Sequence, residues 1–270
     1  MTISPQFRTA SIYVLLSVCW VWLSDQVLVV LVKDQAQLSF LQSIKGGAFV
    51  LATGVLLYWM IGRDMRLLKN ANRMLLDGHK QSLRALVSAM DIRHQETSGH
   101  SDRVMRMATR LGALAGLRDK ALQDLTFGAL LHDIGKLALP DAVLIKPGKL
   151  DEGEMALMRQ HPRLGHELLQ QVDFLRDASV VPHGHHERWD GSGYPQGLRG
   201  EEIPLAARVF SVVDVWDALI TRRVYKPAWP EEDVLSYLRS AAGSQLDPAL
   251  VELFLEHYDE LKAAAVSPQG

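Results

Sequence analysis

The segment Gly46 to Gly62 carries no charged residue, and no other stretch of this 270-residue chain constrains its folding as strongly. Wound as a helix it spans about 26 Å, close to the hydrocarbon thickness of a bilayer. A second apolar run, Ser11 to Val32, is broken chiefly at Ser24-Asp25-Gln26. Its Asp25 costs insertion energy and must sit near an interface or pair with a neighbour. Arg8 gives a weakly basic start, but no small-residue cleavage site follows, so the run reads as a span rather than a signal peptide. Two transmembrane helices, at about residues 11–32 and 44–62, are therefore expected, with a buried soluble hairpin as the alternative.

Orientation follows from charge. Arg63, Arg66, Lys69 and Arg73 come directly after the second run, whereas the loop between the runs carries only Lys33, Asp34 and Lys45. The excess of cations places everything after residue 62 in the cytoplasm, and with both spans inserted the N-terminus as well. A loop of about a dozen residues is too short to fold as a sensor domain.

Beyond the spans nearly every segment has helical period. Residues 63 to about 90 read as a connecting helix, in which Leu76, Leu83 and Met90 recur every seven residues and Leu68-Leu75 repeat in a shifted register. A parallel dimer through this linker is one reading; a linker packed on its own domain is the other. Asp151-Glu152-Gly153-Glu154 has capping-box spacing, and Pro162 suits a first helical position. Leu205, Val209, Val212, Val213, Trp216 and Ile220 form an apolar stripe, and Leu246 to Leu261 reads as one closing helix. Gly191 to Gly200 holds too many breakers for regular structure. No alternating strand of convincing length appears. The fold class expected is all-α.

Composition narrows the function. A net charge of −2 argues against bulk nucleic-acid binding, and a single cysteine excludes an intramolecular disulfide or a thiolate zinc cluster. What stands out is His132-Asp133, set between Ala129-Leu130-Leu131 and Ile134. A buried carboxylate needs a cation or several hydrogen bonds. With Glu96, His100, His161, His185, His186 and Asp214 the chain offers about eight nitrogen and oxygen ligands, more than one ion takes. Glu96 and His100 are four apart and share a helix face. Imidazole plus carboxylate without thiolate suits Fe, Mn, Co, Ni or Zn. Two such ions about 3.5–4 Å apart can clamp the attacking and leaving oxygens of an in-line displacement at phosphorus. Phosphoryl chemistry also needs cations for the non-bridging oxygens, and Lys136, one turn beyond the pair, with Arg223 and Lys226, just past the Asp214 helix, are the candidates. Trp189 and Tyr194 are candidates to stack on a base, and His183 for a supporting role.

These residues carry a resemblance. His132-Asp133-Ile134-Gly135-Lys136, His161-Pro162-x-x-Gly165, His185-His186-Glu187-Arg188-Trp189-Asp190-Gly191-Ser192-Gly193-Tyr194-Pro195 and Val213-Asp214-Val215-Trp216-Asp217-Ala218 resemble, in order and spacing, the motifs of HD-GYP domains. That branch of the HD phosphohydrolase superfamily hydrolyses cyclic di-GMP in bacteria. The resemblance runs from about Ser88 to Phe254. It implies an HD-type helical fold and cleavage of cyclic di-GMP to pGpG, in many members on to GMP. It places metal ligands at Glu96, His100, His132, Asp133, His161, His185, His186 and Asp214, holding two ions, or three where the glutamate is kept, with Fe or Mn favoured. Asp133 and Lys136 take catalytic roles, and Lys136, Gly193, Tyr194, Pro195, Arg223 and Lys226 face the substrate. Arg222 and Val224 depart from the usual Asp and Pro.

The organisation expected is an anchor over 1–62, a helical linker over 63–87, a catalytic domain over 88–262 and a disordered tail over 263–270. The expected location is a bacterial inner membrane with the catalytic domain in the cytoplasm. A catalytically weak adaptor that responds to cyclic di-GMP is the competing function; the intact ligand set and Gly193-Tyr194-Pro195 favour the enzyme.

Overall fold

The computed structural model describes residues 5–94, 99–221 and 227–266. Among them there is no strand, and the chain divides into two compact units, Met1–Leu75 and Leu76–Gly270.

The first unit holds α1 (Pro5–Leu31) and the first part of α2 (Gln35–His94). Both are long and apolar enough to cross a membrane. Their large side chains point outward: Leu15, Val30, Leu51 and Tyr58 are all exposed. Asp25 pairs with Lys45 across the two helices, which supplies the partner that its charge requires. Trp20 stacks on Phe49 beside it, with ring centroids 6.3 Å apart.

The second unit begins with the end of α2, where Leu83 packs on the core and Val87 and Met90 are buried in it. It continues through α3 (His100–Leu114), α4 (Asp119–Leu130), α5 (Asp141–Leu144), α6 (Glu152–Met158), α7 (His161–Gln170) and α8 (Val180–Gly184). It closes with α9 (Leu205–Ile220), α10 (Glu231–Ala241), α11 (Pro248–Glu256) and α12 (Tyr258–Val266).

Helix α9 is the centre of the unit. Ala207, Val209, Phe210, Val212, Val213, Trp216 and Leu219 are buried on more than one face, as a predominantly apolar helix requires. Helices α3, α4, α8, α10 and α11 pack against it. Helix α3 is amphipathic, burying Val104, Met107, Ala108 and Leu111 at helical spacing. Asp151 caps α6 in a full capping box with Glu154, and Pro162 opens α7.

The single closing helix expected over Leu246 to Leu261 is two helices. Helix α11 starts later, at Pro248, where the Asp247 carboxylate accepts from the amides of Ala249 and Leu250. It ends at Glu256, and His257 takes a non-helical ψ of 22° before α12 turns back against α3. Helix α12 continues to Val266 with Ala265 buried.

Candidate metal centre

Three helix ends deliver three histidines in the same manner. His132 follows α4, His161 opens α7 just past α6, and His185 follows α8. Each sets its Nδ1 on the carbonyl three residues back: Ala129 at 2.9 Å, Met158 at 2.8 Å and Pro182 at 2.7 Å. The last carbonyls of a helix lack intrahelical partners, so the ring supplies the missing donor. A carbonyl only accepts, so Nδ1 carries the proton and Nε2 is left facing inward with its lone pair.

His100 is oriented by a side chain instead. Its Nδ1 lies 2.7 Å from Asp217 Oδ2. Arg103 grips that same carboxylate, with Nε to Oδ1 at 2.8 Å and Nη2 to Oδ2 at 3.1 Å. Asp217 is almost fully buried and is held ionised against burial by His100 and Arg103. Helix α9 presents Ser211, Asp214 and Asp217 at intervals of three, one face of the helix. Ser211 Oγ lies 3.0 Å from the His185 carbonyl.

The inward nitrogens gather into two groups. His100, His132 and Asp214 bring ligand atoms within 4.8 Å of one another, and so do His161, His185 and His186. Nε2 of His100 lies 3.4 Å from Nε2 of His132, and Nε2 of His161 lies 3.2 Å from Nε2 of His185. Asp133 stands between the groups. Its Oδ2 is 3.2 Å from His132 Nε2, and its Oδ1 is 3.3 Å from His161 Nε2 and 3.9 Å from His185 Nε2.

This donor set fits metal ions. Imidazoles that have committed their Nδ1 protons turn their Nε2 atoms toward each other at 3.2–3.4 Å, an arrangement that calls for positive charge between them, a proton or a metal ion. Buried acceptors facing one another around a carboxylate require a cation. The nitrogen and oxygen donors, without thiolate, match first-row transition metals.

Electrostatics agree with that geometry. Burial would raise the pKa of Asp133, but Lys136 and His132 hold it well below the carboxylate range. Lys136 Nζ donates to Asp133 Oδ2 at 2.6 Å. Burial works against the charge on His132, but Asp133, Asp214 and the Ala129 carbonyl together push it up to about 9, so that without an ion its Nε2 holds a proton toward Asp133 where a metal would otherwise bind. Burial, together with its neighbouring rings, drives His185 far down, and burial with His161 takes His186 to about 3. Both stay neutral, the form that binds metal.

Two glycines set the spacing. A Cβ on Gly135 would lie 2.0 Å from the His161 carbonyl oxygen, so the turn carrying Asp133 and Lys136 can approach α7 only without one. A Cβ on Gly193 would meet the Arg188 amide nitrogen at 2.4 Å. The loop around Gly193 folds over Glu187, whose buried carboxylate accepts from the amides of Gln196 at 2.7 Å and Leu198 at 3.1 Å. Tyr194, joined to Pro195 by a cis peptide, stacks on His186 with ring centroids 4.8 Å apart, and Arg159 covers its ring at 5.5 Å. A cavity of about 290 Å³ opens here among His186, Tyr194, Arg159, Arg188 and Asp214.

Of the residues expected from sequence, His100, His132, Asp133, Lys136, His161, His185, His186, Gly193, Tyr194 and Asp214 come together. Glu96, Arg223 and Lys226 lie outside the described residues. Trp189 does not face the cavity: Arg208 lies over its ring at 5.7 Å. His183 stacks on His166 at 4.3 Å, away from both groups. Sequence reasoning missed the roles of Asp217, Arg103 and Glu187. Asp217 left a signal, since it is a second carboxylate three residues after Asp214 in an apolar helix.

Similarity to known proteins runs the same way. A cyclic di-GMP phosphodiesterase response regulator of Xanthomonas campestris pv. campestris is 41% identical over 201 residues, 74% of this chain and 53% of that protein. A 3'3'-cGAMP-specific phosphodiesterase of Vibrio cholerae is 39% identical over 203 residues, 74% of this chain and 39% of that one. The chain thus spans about half or less of the length of these curated relatives. The crystal structure of a cyclic GMP-AMP-specific phosphodiesterase from Vibrio cholerae, 20% identical, superposes on 68% of this chain and 50% of its own with a TM-score of 0.55, a likeness of fold. The HD domain family model matches residues 84–250, a range that holds His100, both halves of His132-Asp133, and every other member of the two groups, and the chain belongs to that family.

Proposed function

We propose that this chain is a metal-dependent phosphodiesterase that hydrolyses cyclic di-GMP to pGpG. The observation that carries the reading is Asp133, whose two oxygens face two separate groups of inward-turned nitrogens. His100, His132 and Asp214 would hold one ion, His161, His185 and His186 another, with Asp133 shared and Glu96 available to a third. Manganese or iron suits these donors. When bound, the ions supply Lewis acidity at the phosphoryl group and a water of lowered pKa. The chain's own residues do the remainder. Lys136 puts an ammonium beside Asp133, where it neutralises charge on phosphate oxygens. Tyr194, stacked on His186 and covered by Arg159, forms part of the wall that faces the substrate, and Arg223 and Lys226 add phosphate contacts. One relative is named for cyclic di-GMP and another for 3'3'-cGAMP, which supports a cyclic dinucleotide as the substrate class.

The proposed organisation is an anchor over 1–62, a helical linker over 63–87 and a catalytic domain from 88; the tail expected over 263–270 is corrected at its start, because α12 carries the domain to Val266 with Ala265 buried. The cytoplasmic side of a bacterial inner membrane is the proposed location, on the apolar α1 and α2 and the cations after Gly62. Leu83 and Met90 of the linker repeat are spent on the core of the second unit, so that end packs on its own domain; dimerisation is proposed only through the exposed Leu68 and Leu75.

The test is turnover by the full chain in detergent, purified anaerobically and reconstituted with Mn or Fe(II), on cyclic di-GMP with 3'3'-cGAMP alongside. Linear dinucleotide from cyclic di-GMP, lost in Asp133→Ala together with the metal, is expected. Binding without turnover under every metal would establish the adaptor instead.

A further inference from the structure

Away from the metal centre, α2, α3, α4 and α12 enclose a second cavity of about 400 Å³. Its lining is unusual in charge: Lys80 and Arg84 enter from α2, Arg106 and Arg110 from α3. Two carboxylates answer these four cations, Asp102 with Arg84 at 2.8 Å and Glu260 with Arg110. Arg106 spends its Nε on the Ala264 carbonyl at 3.1 Å and its Nη2 on that of Ala265, capping the end of α12. Among the described residues neither Lys80 nor Arg106 is ion-paired to a carboxylate. Burial, Arg84 and Arg103 work against the charge on Arg106, which Asp102 supports in part. The rest of the wall is apolar, from Met105, Ala113, Leu122 and Ala264. Thr109 and Thr126 give it no extra donor, since their hydroxyls bond to the carbonyls of Met105 at 2.7 Å and Leu122 at 2.8 Å.

A concave, mostly apolar pocket with a few convergent charged groups is the form of a small-molecule site. Clustered guanidinium and ammonium groups select phosphate, and the apolar wall selects a flat organic body. We propose that this cavity is a second, non-catalytic site for an organic phosphate of mononucleotide size. The phosphate sits among Lys80, Arg84, Arg106 and Arg110, and the base lies against Met105 and Leu122. Such a ligand would brace the end of α2 against α3, the helix whose first turn carries His100 and Arg103. The inference is independent of the phosphodiesterase reading, because it rests on different residues.

The experiment is calorimetric titration of the full chain in detergent and EDTA with 5'-GMP, 5'-AMP and inorganic phosphate. Removing metal silences metal-held binding at the other centre. Saturable binding of a nucleotide at one per chain is expected, weakened at least about tenfold by Lys80→Ala/Arg110→Gln and unchanged by Asp133→Asn. Should the double variant fail to give a cooperative melt, Lys80→Glu alone, on a half-exposed position, carries the same expectation. Loss of binding in Asp133→Asn with retention in the double variant would assign the ligand to the metal centre and overturn the proposal. So would absence of saturable binding up to about 5 mM, or inorganic phosphate binding as tightly as either nucleotide.

Discussion

Gly135 lies so close to Gly165 that a Cβ on Gly135 would stand 2.5 Å from the Gly165 amide nitrogen. Backbone therefore meets backbone where the turn after α4 crosses α7. That crossing brings the Asp133 carboxylate to the His161 ring, two residues that no local structure would join.

Gly135→Ala should therefore damage the centre as well as the fold. The added methyl has only backbone to push against, and overpacking of this kind costs about 1–3 kcal/mol. Thermal melting should report that loss, and elemental analysis should show metal content falling with it. Full metal content in a destabilised variant would mean that the turn relaxes without moving Asp133.

Asp217→Asn tests the support behind His100. The amide keeps the shape but removes the charge that pairs with Arg103 and orients the ring. Loss of such an outer partner typically lowers metal affinity about 10- to 100-fold. Competition with a chelator should show one ion released early and the other, at His161, His185 and His186, retained. Equal release of both would count against two separately supported groups.

Lys136→Ala should keep its metal and its fold yet lose about 10²–10³ in phosphodiesterase rate, the effect of one well-placed donor on phosphate charge. A change of less than about twofold would reduce Lys136 to a structural partner of the Asp133 carboxylate.

The metal-free protein should weaken in acid. His186, lowered from 6.5 to about 3, stays neutral when folded but protonates when unfolded below pH 6.5. His161 and His185 are displaced in the same direction. Each such ring contributes stability above pH 6.5 that is lost as pH falls toward the folded value, at about 1.4 kcal/mol per pH unit. His132 has the opposite sign: raised to about 9, its contribution is complete below pH 6.5 and disappears as pH rises through 9. Denaturant titrations in EDTA at pH 9, 6.5 and 5 should place the maximum at the middle value. A monotonic rise from pH 5 to 9 would contradict the balance.

Membrane topology has its own test. A reporter active only in the periplasm should be silent when fused after residue 75 and active when fused near Gln37, which follows α1. Activity after residue 75 would invert the orientation, and silence at both would favour the soluble hairpin.

What could be read from the sequence was the part written locally. His132-Asp133, His161-Pro162 and His185-His186 announce themselves because a ligand and its helix end are neighbours in the chain. The Asp151 cap and the Pro162 start follow from the same short-range chemistry. Asp217 and Arg103 escaped because their meeting depends on α3 packing against α9, 114 residues apart in the chain. The break at His257 escaped too: apolar spacing runs through it, and only the return of α12 onto α3 requires the turn. Lys45 answers Asp25 from the next helix, a pairing that sequence could demand but not name.

The carbonyls of Ala129, Met158 and Pro182 each fix a ring that lies only three residues ahead. Aim is thus settled within each short segment, and packing has only to bring the three donors to the two groups on either side of Asp133. A centre built this way does not wait for its ion to shape it. Exchanging one divalent metal for another should need no rotation of a ligand, so the choice of ion passes from the protein to the cell's supply.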